Sequence, residues 1–269
     1  MRKRLLGAAV WCAALVLATS ALAAEDIRMA TTTSTENSGL LGYLLPKFEA
    51  KYGGKVRVVA VGTGAALKLG ENGDADVLLV HARPLEDKFM AAGFGSVRKD
   101  VMHNDFVIVG PKSDPARVRG SKNVIAAMRT IAASGAKFVS RGDESGTHQM
   151  EKGYWKEAKV TPQTPWYVSA GQGMGQVLTM AGQMQGYTLT DRATYAAYRD
   201  KTGLEVLVEG DPKMFNPYGI IAVNPKRYPN LNTKGAMALI DWITSPEGQQ
   251  AIAGFKINGV QMFFSDAHS

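Results

Sequence analysis

The sequence predicts an α/β protein of two lobes with a ligand cleft between them, and three observations carry that expectation. Strand-like and helix-like apolar patterns alternate along the chain. Two apolar extended stretches of one style, "HNDFVIVGP" from His103 and "NPYGIIAVNP" from Asn216, each end at a proline. Three strand-to-helix junctions are crowded with Ser, Thr and Gly.

The first 23 residues stand apart from this pattern. Arg2, Lys3 and Arg4 precede an apolar run from Leu5 to Ala18, and Ala21-Leu22-Ala23 offers small residues for cleavage. This predicts a secretory signal peptide cut after Ala23; the run is short for a membrane anchor. Its removal takes away three basic residues and no acidic one, lowering the formal charge from +7 to +4. That mild excess is not the basic stripe of a nucleic-acid binder. Cys12, the only cysteine, leaves with the peptide. With no thiol in a compartment that tolerates disulfides, stability must come from a large apolar core. We expect a free monomer without a membrane anchor.

After the signal, Asp26–Ala30 reads as a short strand. Leu40, Leu41, Leu44, Leu45 and Phe48 repeat at helical spacing through Pro46. "KVRVVAVG" (55–62) alternates as a strand, "TGAALKLGEN" (63–72) is helical, "ADVLLV" (75–80) is a buried strand, and "PLEDKFMAAG" (84–93) is a helix with proline in its first turn. This β-α-β-α order predicts a mostly parallel sheet covered on both faces. The strand from His103 follows. Then come a helix ending on Gly135, the strand "KFVSRG" (137–142), and the helix "SGTHQMEKGYWKEA" (145–158). "GQVLTMAGQMQG" (175–186) is a helix ended by Gly186, and "YTLT" leads to a helix capped by Thr190 or Asp191. The strand "LEVLVEG" (204–210) precedes the Asn216 strand, and two helices split at Ser245-Pro246 close the chain.

Two matching strands let the chain leave one lobe and later return to it. The expected division is 24–107 plus 217–269 for lobe I and 108–216 for lobe II, joined by two hinge crossovers. Ligands on open α/β sheets sit beyond the carboxyl ends of strands. The three unusual junctions fall there: "ATTTSTENSG" (30–39), "VGTGAAL" (61–67) and "SRGDESGTH" (140–148).

The first N–H groups of a helix lack internal partners and carry partial positive charge. Small residues let an anion approach them, and hydroxyls add rotatable donors. Any one such junction is explained by helix capping alone; the concurrence of three points to an anion site. Arg141 ends its strand and can fork onto two oxygens of an oxyanion. Thr32, Thr33, Ser34, Thr63, Ser145 and Thr147 are the candidate hydroxyl donors. Asp143 or Glu144 is expected to brace Arg141, and Arg192 to pair with Asp191 in support of the cleft.

In this order, "TTTSTENSGLLGYLLPKFEAKYG", "VGTGAAL" with "GDADVLLVH", "SRGDESGTH" and "LTDRATY" resemble the TupA family over essentially the whole mature chain. The resemblance implies a periplasmic-binding-protein fold of the molybdate/sulfate-binding type. It also implies periplasmic capture of tungstate or molybdate, and delivery to an inner-membrane ABC permease with its cytoplasmic ATPase. By position it puts the family's threonine-serine motif on Thr31 to Ser34, a hydroxyl on Thr63, and the oxyanion-directed arginine on Arg141, followed by Ser145 and Thr147. Which of Thr31 to Ser34 face the ligand stays open, because alternation turns only some inward.

"RGDESGT" also resembles the corresponding stretch of phosphate-binding proteins, whose aspartate accepts a phosphate proton. Asp143 decides between the two: a proton-free dianion wants donors only. Sulfate binding is a further alternative. A Ser-dependent hydrolase is disfavoured, since Ser145 lacks the G-x-S-x-G elbow. The scattered histidines His81, His103, His148 and His268 offer no metal motif, so no metal or other cofactor is expected.

Overall fold

The structure, a computed structural model, describes residues 24–267; the expected signal peptide lies outside the described residues. The first half comprises β1 (Ile27–Thr32), the one-turn helix α1 (Thr33–Asn37), α2 (Leu40–Tyr52), β2 (Val56–Val61), α3 (Thr63–Asn72), β3 (Val77–Val80) and α4 (Arg83–Ala91). A long strand, β4 (Gly95–Gly110), leads into α5 (Val124–Ser134), β5 (Phe138–Ser140), α6 (Gly146–Ala158), β6 (Tyr167–Ser169) and α7 (Met174–Met184). There follow β7 (Thr188–Asp191), α8 (Arg192–Thr202) and β8 (Glu205–Val208). The return strand β9 (Phe215–Val223) precedes α9 (Thr233–Thr244), α10 (Pro246–Gly254), and the short strands β10 (Lys256–Ile257), β11 (Val260–Gln261) and β12 (Phe264–Ser265).

The expected parallel sheet is corrected. In the main sheet only β1 pairs in parallel, with β2 and β3. The order is β12-β4-β9-β3-β1-β2, and β9 runs antiparallel to both β3 and β4. β7 and β8 also pair antiparallel with the far end of β4. The cause is the crossover itself. An outgoing and a returning strand lying side by side must run in opposite directions, and they bring antiparallel pairing into the sheet's centre.

Residue alternation along the strands builds separate cores. In β3, Val77 and Leu79 face α2 and α9, while Leu78 and Val80 face α3 and α4. In β4, Val101 and Met102 still belong to the first core, but Phe106 and Ile108 pack with α5 and α6, and Val107 and Val109 with α7. Phe106 and Val107, placed by the sequence in lobe I, therefore join the second core. The change of side occurs at buried Asn104, opposite buried Asn216 on β9.

Two boundaries also differ from expectation. β4 begins at Gly95 rather than His103, through "GSVRKD", whose charges hid the strand; Arg98 in it pairs with buried Glu86 at 2.8 Å. α7 ends on Gln185 in the left-handed conformation, one residue before Gly186. Elsewhere the capping chemistry holds: Asp191 starts α8, and Ser245 with Pro246 starts α10.

Helices α7 and α8 approach closely at Gly182, where an added Cβ would stand 2.6 Å from the Thr202 carbonyl oxygen. Gly182→Ala is therefore expected to destabilise the chain by about 1–3 kcal/mol through overpacking. Urea denaturation measures this, and an unchanged midpoint contradicts such close packing.

Candidate functional site

The three hydroxyl-rich junctions meet at one point. Arg141 leaves the end of β5 and is buried to 1% exposure. Its Nη1 donates to Ser34 Oγ at 2.9 Å and its Nη2 to Thr33 Oγ1 at 2.8 Å, joining the third junction to the first. Nη2 also donates to Asp143 Oδ2 at 2.5 Å, so the expected brace forms. The second junction closes on the third where Gly146 N–H donates to Thr63 Oγ1 at 2.9 Å. Ser145 caps α6, its Oγ accepting from His148 N–H. Thr147 lies buried in the first turn of the same helix.

The directions of these bonds matter more than their number. Thr33, Ser34, Thr63 and Ser145 each accept at oxygen from an N–H group. Their own hydroxyl hydrogens stay available for donation. Arg141 Nε and Thr147 Oγ1 are buried with no hydrogen-bond partner, although buried polar groups are ordinarily satisfied. The junction thus presents buried donors: the free Nε–H of Arg141 and hydroxyl hydrogens not already spent inside the protein. Both Asp143 oxygens are engaged, Oδ2 by Arg141 and Oδ1 by Ser145 N–H. Burial draws the Arg141 pKa below its ordinary value, and the Asp143 carboxylate opposes that shift.

The adjacent threonines separate by role. Thr31 donates back to the Leu79 carbonyl at 2.7 Å, within the sheet. Thr32 caps α1, accepting from Thr35 N–H, and lies 3.0 Å from His81 Nε2. Thr33 and Ser34 begin α1 and receive Arg141. The "TTTSTEN" stretch, expected as a polar turn, coils into a helix because the Thr32 cap satisfies a first-turn N–H.

One expectation fails. Arg192 does not pair with Asp191: it makes a two-pronged contact with Asp105 at 2.7 Å and reaches Glu209 at 2.6 Å. Asp191, as N-cap, turns inward onto its own helix, accepting from Thr194 N–H and Oγ1. Arg192, next along at the start of α8, points outward. Support for the site runs instead through Thr194, whose Oγ1 also lies 2.9 Å from the Ser34 carbonyl oxygen.

The sequence reading missed a fourth helix start. Gly173 precedes α7 without any side-chain cap, and an added Cβ there would lie 3.3 Å from Thr33 Oγ1. Gly171 and Gly173 in "GQGMG" were the available signal. Also missed was a buried polar chain behind Thr32: His81 Nδ1 lies 2.9 Å from Asn216 Oδ1, and Asn216 Nδ2 donates to Asn104 Oδ1 at 2.7 Å. No periodicity marks such residues.

Two surface hollows lie elsewhere. One of 540 Å³ sits beside Phe48 and Trp242, and one of 550 Å³ beside His103 and Phe215. Among the described residues no group of three or more His, Cys, Asp and Glu side chains is placed to hold a metal ion.

A family model described as a PBP superfamily domain matches residues 18–247. Across 86% of its length the chain is 49% identical to the tungstate-binding protein TupA of Peptoclostridium acidaminophilum, covering 81% of that protein. The chain belongs to the TupA family. Two solved structures agree with it in fold as well as sequence. The tungstate ABC transporter structure from Geobacter sulfurreducens is 58% identical with a TM-score of 0.80, over 86% of this chain and 99% of that one. TupA from Desulfovibrio alaskensis G20 is 48% identical with a TM-score of 0.77, over 91% of this chain and 100% of that one. This TupA-family chain therefore has the two-lobed binding-protein fold.

Burial lowers His81 of this TupA-family chain to about 4, so the folded ring stays neutral where an unfolded one takes up a proton. The stability it confers is fully present above about pH 6.5 and is lost as pH falls towards 4. The stability advantage of wild type over His81→Phe should shrink by about 2 kcal/mol between pH 7 and pH 4.5. Urea titrations at the two pH values test this; a constant difference rules it out.

Proposed function

We propose that the chain is a periplasmic solute-binding protein that captures tungstate, and molybdate with it, for an ABC importer. The observation that carries this reading is the buried donor set around Arg141, with Nε and Thr147 Oγ1 unpartnered and the Thr33, Ser34 and Thr63 hydroxyls receiving N–H groups so that their hydrogens are free to donate. Such a site suits a guest that only accepts hydrogen bonds, which a fully deprotonated tetrahedral dianion does. Thr33, Ser34, Thr63, Arg141, Ser145 and Thr147 are the proposed contacts, with Thr32 shaping the corner and Asp143 holding Arg141.

Phosphate is disfavoured on the same geometry. It keeps a proton at neutral pH and calls for an acceptor, whereas both Asp143 oxygens are taken from within the protein. Sulfate is smaller and would leave donors unmatched at roughly 1–3 kcal/mol each. A hydrolytic role lacks its base: Ser145 Oγ receives the His148 backbone N–H, while His148 Nδ1 accepts from Glu144 N–H. The function is binding without catalysis and without a cofactor.

We further propose that the chain crosses between the lobes at Asn104 and Asn216, so that the first crossing falls before Phe106 rather than after residue 107 as expected. The protein acts as a monomer without a membrane anchor, reaches the periplasm by cleavage of residues 1–23, and hands its cargo to an inner-membrane permease with a cytoplasmic ATPase. No helix among the described residues is long and apolar enough to cross a membrane.

Calorimetry with the four anions in parallel tests the reading. Tungstate should bind tightest with molybdate near it, sulfate weaker by more than tenfold, and phosphate weakest. Phosphate binding tightest would transfer the site to the phosphate reading. Arg141→Ala should weaken tungstate binding by about a hundredfold or more, well beyond Thr63→Ala, because it removes a charged donor fork. Arg141→Lys should retain part of the affinity, keeping charge and losing the fork. Equal affinity of Arg141→Ala and wild type would refute the assignment.

A further inference from the structure

The buried chain behind Thr32 has a direction, and that direction assigns a role to His81. Asn104 and Asn216 face each other across the two crossover strands β4 and β9. Asn104 Nδ2 is buried with no partner within hydrogen-bond distance, and the Asn104 oxygen receives Asn216 Nδ2–H at 2.7 Å. Asn216 then presents its own oxygen to His81 Nδ1 at 2.9 Å, so Nδ1 must carry the ring hydrogen. A neutral imidazole has one N–H, which leaves a lone pair on Nε2, 3.0 Å from Thr32 Oγ1.

We propose that His81 is a positioning residue of the anion site: as its Nδ1–H tautomer it takes the Thr32 hydroxyl hydrogen and ties the start of α1 to both crossover strands. This rests on the oxyanion reading of the site. The ring is stacked on Tyr218 with centroids 4.6 Å apart, which fixes its plane. Burial keeps it uncharged, so the lone pair persists at neutral pH. Thr32 in turn caps the helix whose next two residues, Thr33 and Ser34, receive Arg141. The pairing of the hinge strands and the geometry of the ligand corner are therefore set by one chain of hydrogen bonds.

Two measurements test the assignment. Nitrogen-15 NMR of the ligand-free wild type should show His81 protonated at Nδ1 and bare at Nε2; the reverse tautomer overturns the proposal. In a double-mutant cycle read by tungstate calorimetry, His81→Phe keeps the stacked ring but no nitrogen. It should weaken binding about tenfold in the wild type and less than about twofold in a Thr32→Val background. An equal loss in both backgrounds means His81 does not act through Thr32, and the proposal fails. A wild type that binds no tungstate defeats the functional reading alone, because the tautomer measurement needs no ligand.

Discussion

One buried guanidinium organises the molecule. Placing an arginine at 1% exposure is unfavourable unless its charge and its N–H groups are met. Asp143 meets the charge, and Thr33 and Ser34 meet two of the donors from more than a hundred residues away in sequence. The same contacts draw the end of β5 onto the start of α1, so satisfying Arg141 and joining the lobes are one event. With Asp143 balancing Arg141, little net positive charge remains for a dianion. The balance must come from hydroxyl hydrogens and from the N-terminal dipoles of the helices that open at the junction.

Closeness of approach is the second condition, and glycine supplies it through absence of volume. An added Cβ at Gly62 would stand 3.2 Å from the Asp143 carbonyl oxygen, and one at Gly146 would stand 3.1 Å from Thr63 Oγ1. Gly62 and Gly173 both have φ of −67°, which any residue adopts. These glycines are therefore not turn-formers. They leave room for one strand end to lie against another, so that Gly146 N–H can reach the Thr63 hydroxyl.

Much of this was legible in the sequence, and what escaped did so for definable reasons. Helices and strands followed from apolar spacing, and the three junctions from hydroxyls placed where strands end. That Arg141 would pair with an acid of its own turn was readable, but only folding selects Asp143, since Glu144 turns to Lys152 instead. Strand direction was not: "FVIVG" and "GIIAV" look the same whichever way they run, and only their adjacency makes β4 and β9 antiparallel. "GSVRKD" hid the start of β4 because Arg98 finds its partner, Glu86, in a distant helix. Arg192 was misplaced because adjacency in sequence suggested a pair that a cap geometry separates. Asn104, Asn216 and His81 are isolated polar residues at the edges of apolar strands. Their partnership exists only after folding.

The closed set of internal bonds also explains how such a site would sort its guests. Size separates tungstate from molybdate weakly, since the two differ very little, and sets apart only the smaller sulfate. Protonation is a second criterion, because a guest hydrogen needs an acceptor and each Asp143 oxygen already accepts one bond from within the protein. The carboxylate that makes this turn resemble a phosphate site is tied first to the protein itself: one Asp143 oxygen holds Arg141 and the other receives Ser145 N–H.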